Sequence, residues 1–298
     1  MPSLKTLRLR IRSVSNTKQI TKAMKMVAAA KLRRSQERTV SSRPYSQRMG
    51  RMVQSLSTLM ADRGGAPPLL AGNGGDVRRI EIVLFTADRG LCGSFNSSVI
   101  RAVRSRVIEL QQEGFSVTLT CVGRKGADVL KRQFGPQIRR TYTNVTRQLS
   151  FHAVESGLAT DLVHAFNDSQ FDACYVVYNT FKSAMSQVLT WRQLIPMPVA
   201  EPDARVGESS VSGGYMFEPE EQELLETLLP RNIAVQLFQA IVESDASEHG
   251  SRMTAMDNAV KNASEMIRKL QIKFNRSRQA SITTELMEII GGAESLKG

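Results

Sequence analysis

The sequence predicts an α/β domain inserted between two long terminal helices that pair as an antiparallel coiled coil. Three observations predict it. Apolar residues recur at alternating 3- and 4-residue steps near both ends of the 298-residue chain. Between the ends, short β-type runs alternate with helical stretches. Segments rich in Gly and Pro, 62–78 and 196–219, separate the two kinds of pattern.

Residues 3–60 read as one helix. Leu4, Leu7, Ile11 and Val14 share a face, as do Ile20, Met24 and Val27, while Lys18, Thr21 and Lys25 interrupt the stripe. Ala28–Ala30 and Leu32 keep helix propensity high. Pro44 is expected to kink or break the helix, because it lacks an amide and crowds the preceding turn. About 60 residues at 1.5 Å rise give roughly 90 Å, far more than a compact domain needs. The segment 62–78, DRGGAPPLLAGNGGDVR, reads as a linker.

The inserted domain spans 79–218. Ile80–Thr86 is a strand, followed by a Gly-rich turn and a helix from about Ser94 to Gln112. Ser116–Val122 is a second strand and Gly123–Arg132 a second helix; Leu149–Phe166 is helical, and Ala173–Asn179 and Ser186–Leu194 are strands. Alternation of this kind implies a mainly parallel, Rossmann-like sheet. Residues 219–298 return to the helical period. Pro230 is expected to divide a short helix from a long one. The long one carries Met253, Met256, Val260, Ala263, Ile267, Leu270 and Phe274, then a shifted stripe of Ile282, Leu286 and Ile289, and is expected to stop at Gly291-Gly292. Two helices of matched length with apolar seams wind round each other most economically. The competing arrangement lays both on the domain's surface, but a domain of about 150 residues offers no docking surface of that length.

Composition narrows the function. The net charge of +12 is localised: residues 1–60 hold 14 Lys and Arg against one acid, Glu37, and the remainder of the chain is at −1. No apolar run approaches the roughly 18 residues of a membrane span. Cys92, Cys121 and Cys174 are widely spaced and odd in number, which disfavours a disulfide framework or zinc site. His152, His164 and His249 show no ligand spacing. The Arg-rich start has the composition of an organellar targeting segment, but its length and its continuing periodicity argue against removal. A basic helix also suits nucleic acid, an anionic membrane surface or acidic protein neighbours, and composition alone does not separate these.

Candidate chemistry is sparse. The stretch ADRGLCGSFN at 87–96 follows a strand and opens a helix, where phosphate loops occur. Gly90 and Gly93 complete neither established glycine motif and no Lys follows in position, so a structural turn is the expectation. Cys92 at a helix start has no nearby His and reads as a small buried hydrophobe. The Glu-rich run EPEEQELLE at 218–226 reads as a solvated helix start. Arg252, Gln279, Thr283 and Glu285 read as surface of the rod, and nothing assembles a triad, carboxylate pair or metal cage.

Three blocks together resemble the gamma subunit family of the F-type ATP synthase, in its bacterial form. They are IRSVSNTKQITKAMKMVAAAKLRR at 11–34, ADRGLCGSFN at 87–96, and RQASITTELMEIIGGAES at 278–295, which holds I-T-x-E-x-x-E-x-x-x-G-A-x-S. The resemblance implies a non-catalytic rotor without cofactor or metal, turning inside a hexamer of alpha and beta subunits and standing on a c-subunit ring with an epsilon subunit. It implies that Met24, Lys25, Arg252, Gln279, Thr283 and Glu285 face alpha and beta subunits. It also implies that Tyr215 and Glu218 meet the c ring and epsilon, and that Ile289 and Ile290 enter an apolar sleeve. No nucleic acid and no membrane span are implied. None of the cysteines lies between 197 and 218, where the plastid version carries its redox pair, so thiol regulation is not expected. A start at Met1 without presequence points to a bacterial subunit, peripheral on the cytoplasmic face of the inner membrane.

Overall fold

The computed structural model describes residues 3–61, 66–147, 149–198 and 221–295. Helix α1 (Leu4–Ala61) and helix α7 (Glu221–Ser295) bracket a five-stranded sheet. The chain divides into two compact units, Met1–Ala29 with Arg252–Gly298, and Ala30–Ser251.

In the first unit the two helices pair with residue numbers rising on one as they fall on the other. Lys25 Nζ lies 2.5 Å from Asp257 Oδ1, and the Arg8 guanidinium stands 5.6 Å over the Phe274 ring. The α1 positions turned inward here are Leu4, Leu7, Ile11, Val14, Lys18, Thr21, Lys25 and Ala28, an unbroken heptad register. Ile20 and Val27 are exposed, so their supposed stripe is not the seam. The seam continues through the polar residues instead, because keeping a 3.5-residue repeat outweighs hydrophobicity at any one position. On α7, Met253, Met256, Val260, Ala263, Ile267, Leu270 and Phe274 are all buried or half-buried, as their spacing predicts.

The second unit holds the α/β domain. Strands β1 (Arg79–Phe85), β2 (Ser116–Val122), β3 (Ile138–Tyr142), β4 (Ala173–Phe181) and β5 (Gln187–Ile195) lie in the order β3-β2-β1-β4-β5. All neighbours are parallel except β4 and β5. A one-residue side-chain alternation splits the core in two. Ile80, Ile82, Leu84, Leu119 and Cys121 pack with Val99, Val103 and Val107 of α3 (Phe95–Gln112) and Leu130 of α4 (Arg124–Phe134). On the other face Val83, Phe85, Val176 and Tyr178 pack with Leu162 and Phe166 of α6 (Thr160–Asn167), Leu229, Ile233 and Leu237 of α7, and Met49, Val53 and Leu56 of α1. The helical stretch before α6 contains α5 (Phe151–Ala153) and a π-helical turn, Val154–Ala159. The linker is not all loop: α2 (Pro68–Ala71) forms one turn and buries Leu69.

Four sequence expectations are corrected. Helix α1 continues through Pro44. The ring and Val40, whose carbonyl loses its donor, are both exposed, so the lost bond is open to replacement by solvent. Helix α7 also continues through Pro230, which is half-buried while Glu226, whose carbonyl loses its donor, is exposed. It also runs past Gly291 and Gly292, neither of which takes the positive φ of a helix-ending glycine. Finally, β3 is an added strand whose polar sequence, IRRTY, hid it.

That polarity has a structural cause. Glu81, wholly buried in the middle of β1, accepts hydrogen bonds from Thr118 and Thr120 on β2. Arg139 on β3 reaches it at 3.4 Å and bonds Asp161 of α6 at 2.8 Å. Burial works against the Arg139 charge, but Glu81 and Asp161 outweigh it and raise the guanidinium further. The network ties the edge strand and α6 to the central strand.

Candidate functional site

The free surface of the helix pair is the candidate site, and it begins with the side chains the seam leaves out. On α1 these are Lys5, Arg10, Arg12 and Lys22, with the apolar Leu9, Ile20, Met26 and Val27 among them. On α7 the seam pattern stops at Ser281. Beyond it Ile282, Leu286, Met287, Ile289 and Ile290 are all exposed, Ile289 at 72%. Apolar side chains concentrated at one exposed helix end mark a surface meant for a partner. Thr283 and Glu285 stand among them. The Thr283 hydroxyl donates to the Gln279 carbonyl at 2.9 Å, and Glu285 accepts from Ser281 at 3.3 Å. Gln279, Thr283 and Glu285 are therefore exposed together within two turns.

Met24 is half-buried. Lys25 is not simply a free cation: Asp257 holds it across the pair, and Lys261 shares that carboxylate at 3.0 Å. The hydrogen bonds from Lys25 and Lys261 lower the Asp257 carboxyl below its ordinary range. Asp257 escaped sequence reasoning, although a Lys at a seam position signals that a facing acid is required. Arg252 is half-buried and has its own bonding partners. Tyr215 and Glu218 lie outside the described residues.

In the α/β unit a second polar cluster joins α1 to α7. Ser35 donates to Asp245, and His249 Nε2 is 3.4 Å from the other oxygen of that carboxylate. Burial would raise the Asp245 carboxyl, but hydrogen bonds from His249 and Ser35 and the charge of Arg38 hold it below the ordinary range. Serine and histidine both bond the acid and not each other, so the trio is a brace and no nucleophilic triad.

Asp88 and Asn96 of the 87–96 loop bond the protein's own backbone. Asp88 accepts from the Arg124 amide at 3.0 Å and the Asn144 amide at 2.8 Å, and Asn96 accepts from the Ala87 amide at 2.8 Å. A carboxylate at that position repels phosphate. Gly93 has φ +59°, as the turn requires, but the second left-handed residue is Leu91 and not Gly90. Cys92 is buried and receives a hydrogen bond from Asn96 at 3.2 Å. Among the described residues no helix is long and apolar enough to cross a membrane.

Comparison with known proteins covers the whole chain. A family profile described as ATP synthase matches residues 3–296. The ATP synthase gamma chain of Magnetococcus marinus is 61% identical over 298 residues, all of both chains. That of Paramagnetospirillum magneticum is 48% identical over 296 residues, 99% of this chain and 100% of the relative. A chain from the central stalk and c ring of the Tetrahymena thermophila mitochondrial ATP synthase has a TM-score of 0.62 at 26% identity, covering 80% of this chain and 99% of its own. A chain of the Euglena gracilis mitochondrial ATP synthase rotor has a TM-score of 0.66 at 22% identity, covering 94% and 98%, which supports the fold.

Proposed function

This chain belongs to the ATP synthase gamma-chain family, and we propose that it acts as the non-catalytic rotor that couples c-ring rotation to the catalytic beta subunits. It is a subunit of an F-type ATP synthase. The observation that carries the coupling role is the exposed apolar and polar face at residues 279–290, on a helix pair whose own seam ends before it.

In this reading 1–61 and 219–298 supply the shaft, 62–78 the link, and 79–218 the domain and its foot loop. Proton flow turns the c ring, and the domain, with Tyr215 and Glu218 against the ring and epsilon, turns with it. The shaft turns inside the alpha and beta subunits. It presents unlike surfaces at each angle: the α1 side carries Lys5, Arg10, Arg12 and Lys22, whereas the end of α7 carries Ile282, Leu286 and Ile289 with Glu285 and Glu288 among them. Each angle therefore changes the relative energies of the beta-site conformations, which is what coupling requires thermodynamically. Met24, Lys25, Arg252, Gln279, Thr283 and Glu285 form the contacts with beta and alpha, Met24 by packing and the charged and polar side chains by hydrogen bonds. Ile289 and Ile290 fill an apolar sleeve, where their exposure in the isolated chain is relieved. Catalysis stays in the beta subunits. The chain is peripheral on the cytoplasmic face of the bacterial inner membrane, held there through the c ring.

Co-purification from bacterial membranes tests this reading: alpha, beta, epsilon and c subunits travel with the chain. Replacing Thr283 and Glu285 by Ala leaves the helix folded, since both are exposed, and lowers ATP synthesis by the assembled complex. Normal synthesis by that double variant would remove these two residues from the contact.

A further inference from the structure

Doubly wound sheets hold ligands outside the carboxyl ends of the strands, where the strand order reverses. Here that position lies between β1 and β4, and a segment of α7 fills it. Ser247 donates to the Asn179 carbonyl on β4 at 2.8 Å. Four residues on, Ser251 donates to the Cys92 carbonyl, in the loop after β1, at 2.6 Å. Between them Gly250 lies against the β4–β5 turn, where an added Cβ would stand 3.2 Å from Phe181 Cε2 and 3.3 Å from Ala184 Cα. All three residues are buried.

The gripping loop is itself anchored. Asp88 takes the Arg124 and Asn144 amides, Asn96 takes the Ala87 amide, and Asn179 Nδ2 bonds the Phe95 carbonyl at 3.4 Å. A force on the Cys92 carbonyl is thus passed to the ends of three strands. A helix held only by side-chain packing can roll. One held on a single face at points one turn apart, with backbone contact between them, cannot roll or slide without breaking both bonds and driving a larger side chain into the turn.

We propose that the 87–96 loop and the end of β4 are a clamp on α7, through which torque on the α/β domain enters the C-terminal helix. Ser247, Gly250 and Ser251 are its positioning residues. The inference rests on the rotor reading above and assigns the point where that rotor is gripped. It also gives the ADRGLCGSFN loop a mechanical role in place of a phosphate-binding one.

The test uses the assembled complex in membrane vesicles, with ATP hydrolysis and ATP-driven proton uptake measured together. Gly250→Leu forces α7 off the turn. Proton uptake per ATP hydrolysed then falls at least about threefold while hydrolysis continues, because a slipping shaft releases the load without touching the catalytic sites. Ser251→Ala gives a smaller fall, and Ser251→Thr, which keeps the hydroxyl, restores the ratio. A second measurement needs no complex. In the isolated full chain, amide exchange across residues 88–93 rises about fivefold in Ser251→Ala and not in Ser251→Thr. An unchanged uptake ratio in an assembled Gly250→Leu complex overturns the clamp. So does unchanged exchange in Ser251→Ala, whether or not the leucine variant assembles. Failure of the parent chain to enter a complex overturns the rotor reading instead, and the exchange result still decides the clamp.

Discussion

Single ion pairs here act on the arrangement of elements more than on chemistry. Lys25 and Asp257 meet across the seam of the helix pair, and a charged pair in a seam favours the register that joins it, since a slip separates the two charges. Lys25→Ala and Asp257→Ala should each lower the thermal midpoint, and the double variant should fall by less than the two separate losses. A double-mutant cycle by calorimetry measures that coupling. Asp172 belongs to the sheet end. The Arg79 guanidinium, against the opposing effect of burial and with help from the Arg78 and Arg79 amides, holds its carboxyl at about 2, below the ordinary 3.8. A carboxyl lowered on folding stabilises the native state fully above its unfolded value and loses that contribution as pH falls through about 2. Asp172→Asn should therefore lower the urea midpoint near neutral pH and leave a much smaller difference at about pH 2. Burial, with the Glu81 charge adding to it, pushes the Cys121 thiol up to about 12. Cys121 should resist iodoacetamide at mildly alkaline pH until the chain is unfolded.

At the scale of elements, two positions decide whether the sheet forms as described. Gly123 joins β2 to α4 with φ +110°, and a Cβ there would fall 1.9 Å from the Thr86 carbonyl oxygen. Both backbone conformation and space forbid a side chain. Gly123→Ala should cost about 2–4 kcal/mol in chemical denaturation. Arg139 is the link between β3, β1 and α6. Arg139→Met would leave Glu81 as a buried charge without its cation, at a cost of about 3–5 kcal/mol. Parallel central strands were legible because β4 and, apart from Glu81, β1 carry near-continuous apolar runs, while β2 alternates Val117, Leu119 and Cys121 with Thr118 and Thr120. Strand β3 was not, because Arg139 answers a buried carboxylate 58 residues away and Arg140 pairs with Asp161 of α6. Similarly, Pro44 and Pro230 announce breaks that do not occur, because a lone helix cannot reveal which of its faces meets solvent.

The whole chain consists of two compact units sharing two continuous helices. The larger has cores on both sides of its sheet. The smaller keeps many apolar side chains in water, so its final state is defined by what surrounds it. Ile282, Leu286 and Ile289 changed together to Ser should leave the thermal midpoint of the isolated chain nearly unchanged. The same change should reduce the amount of chain recovered with alpha and beta subunits, as measured by affinity purification. The sign of both effects follows from exposure: these side chains keep half or more of their surface in water among the described residues, so association is what the change removes.

The sequence by itself determined the two helices, the parallel core strands, the segregation of positive charge into residues 1–60, and the family. Each of these depends on local periodicity, composition or contiguous motifs, which residues display without knowing their neighbours. Tertiary structure decided the rest. The register that opposes Lys25 to Asp257, the Glu81–Arg139–Asp161 network, the Ser35–Asp245–His249 brace and the seating of Ser251 on the Cys92 carbonyl all join residues far apart in the chain. A polar residue in a sequence states only that it needs a partner, and folding alone selects which one it receives.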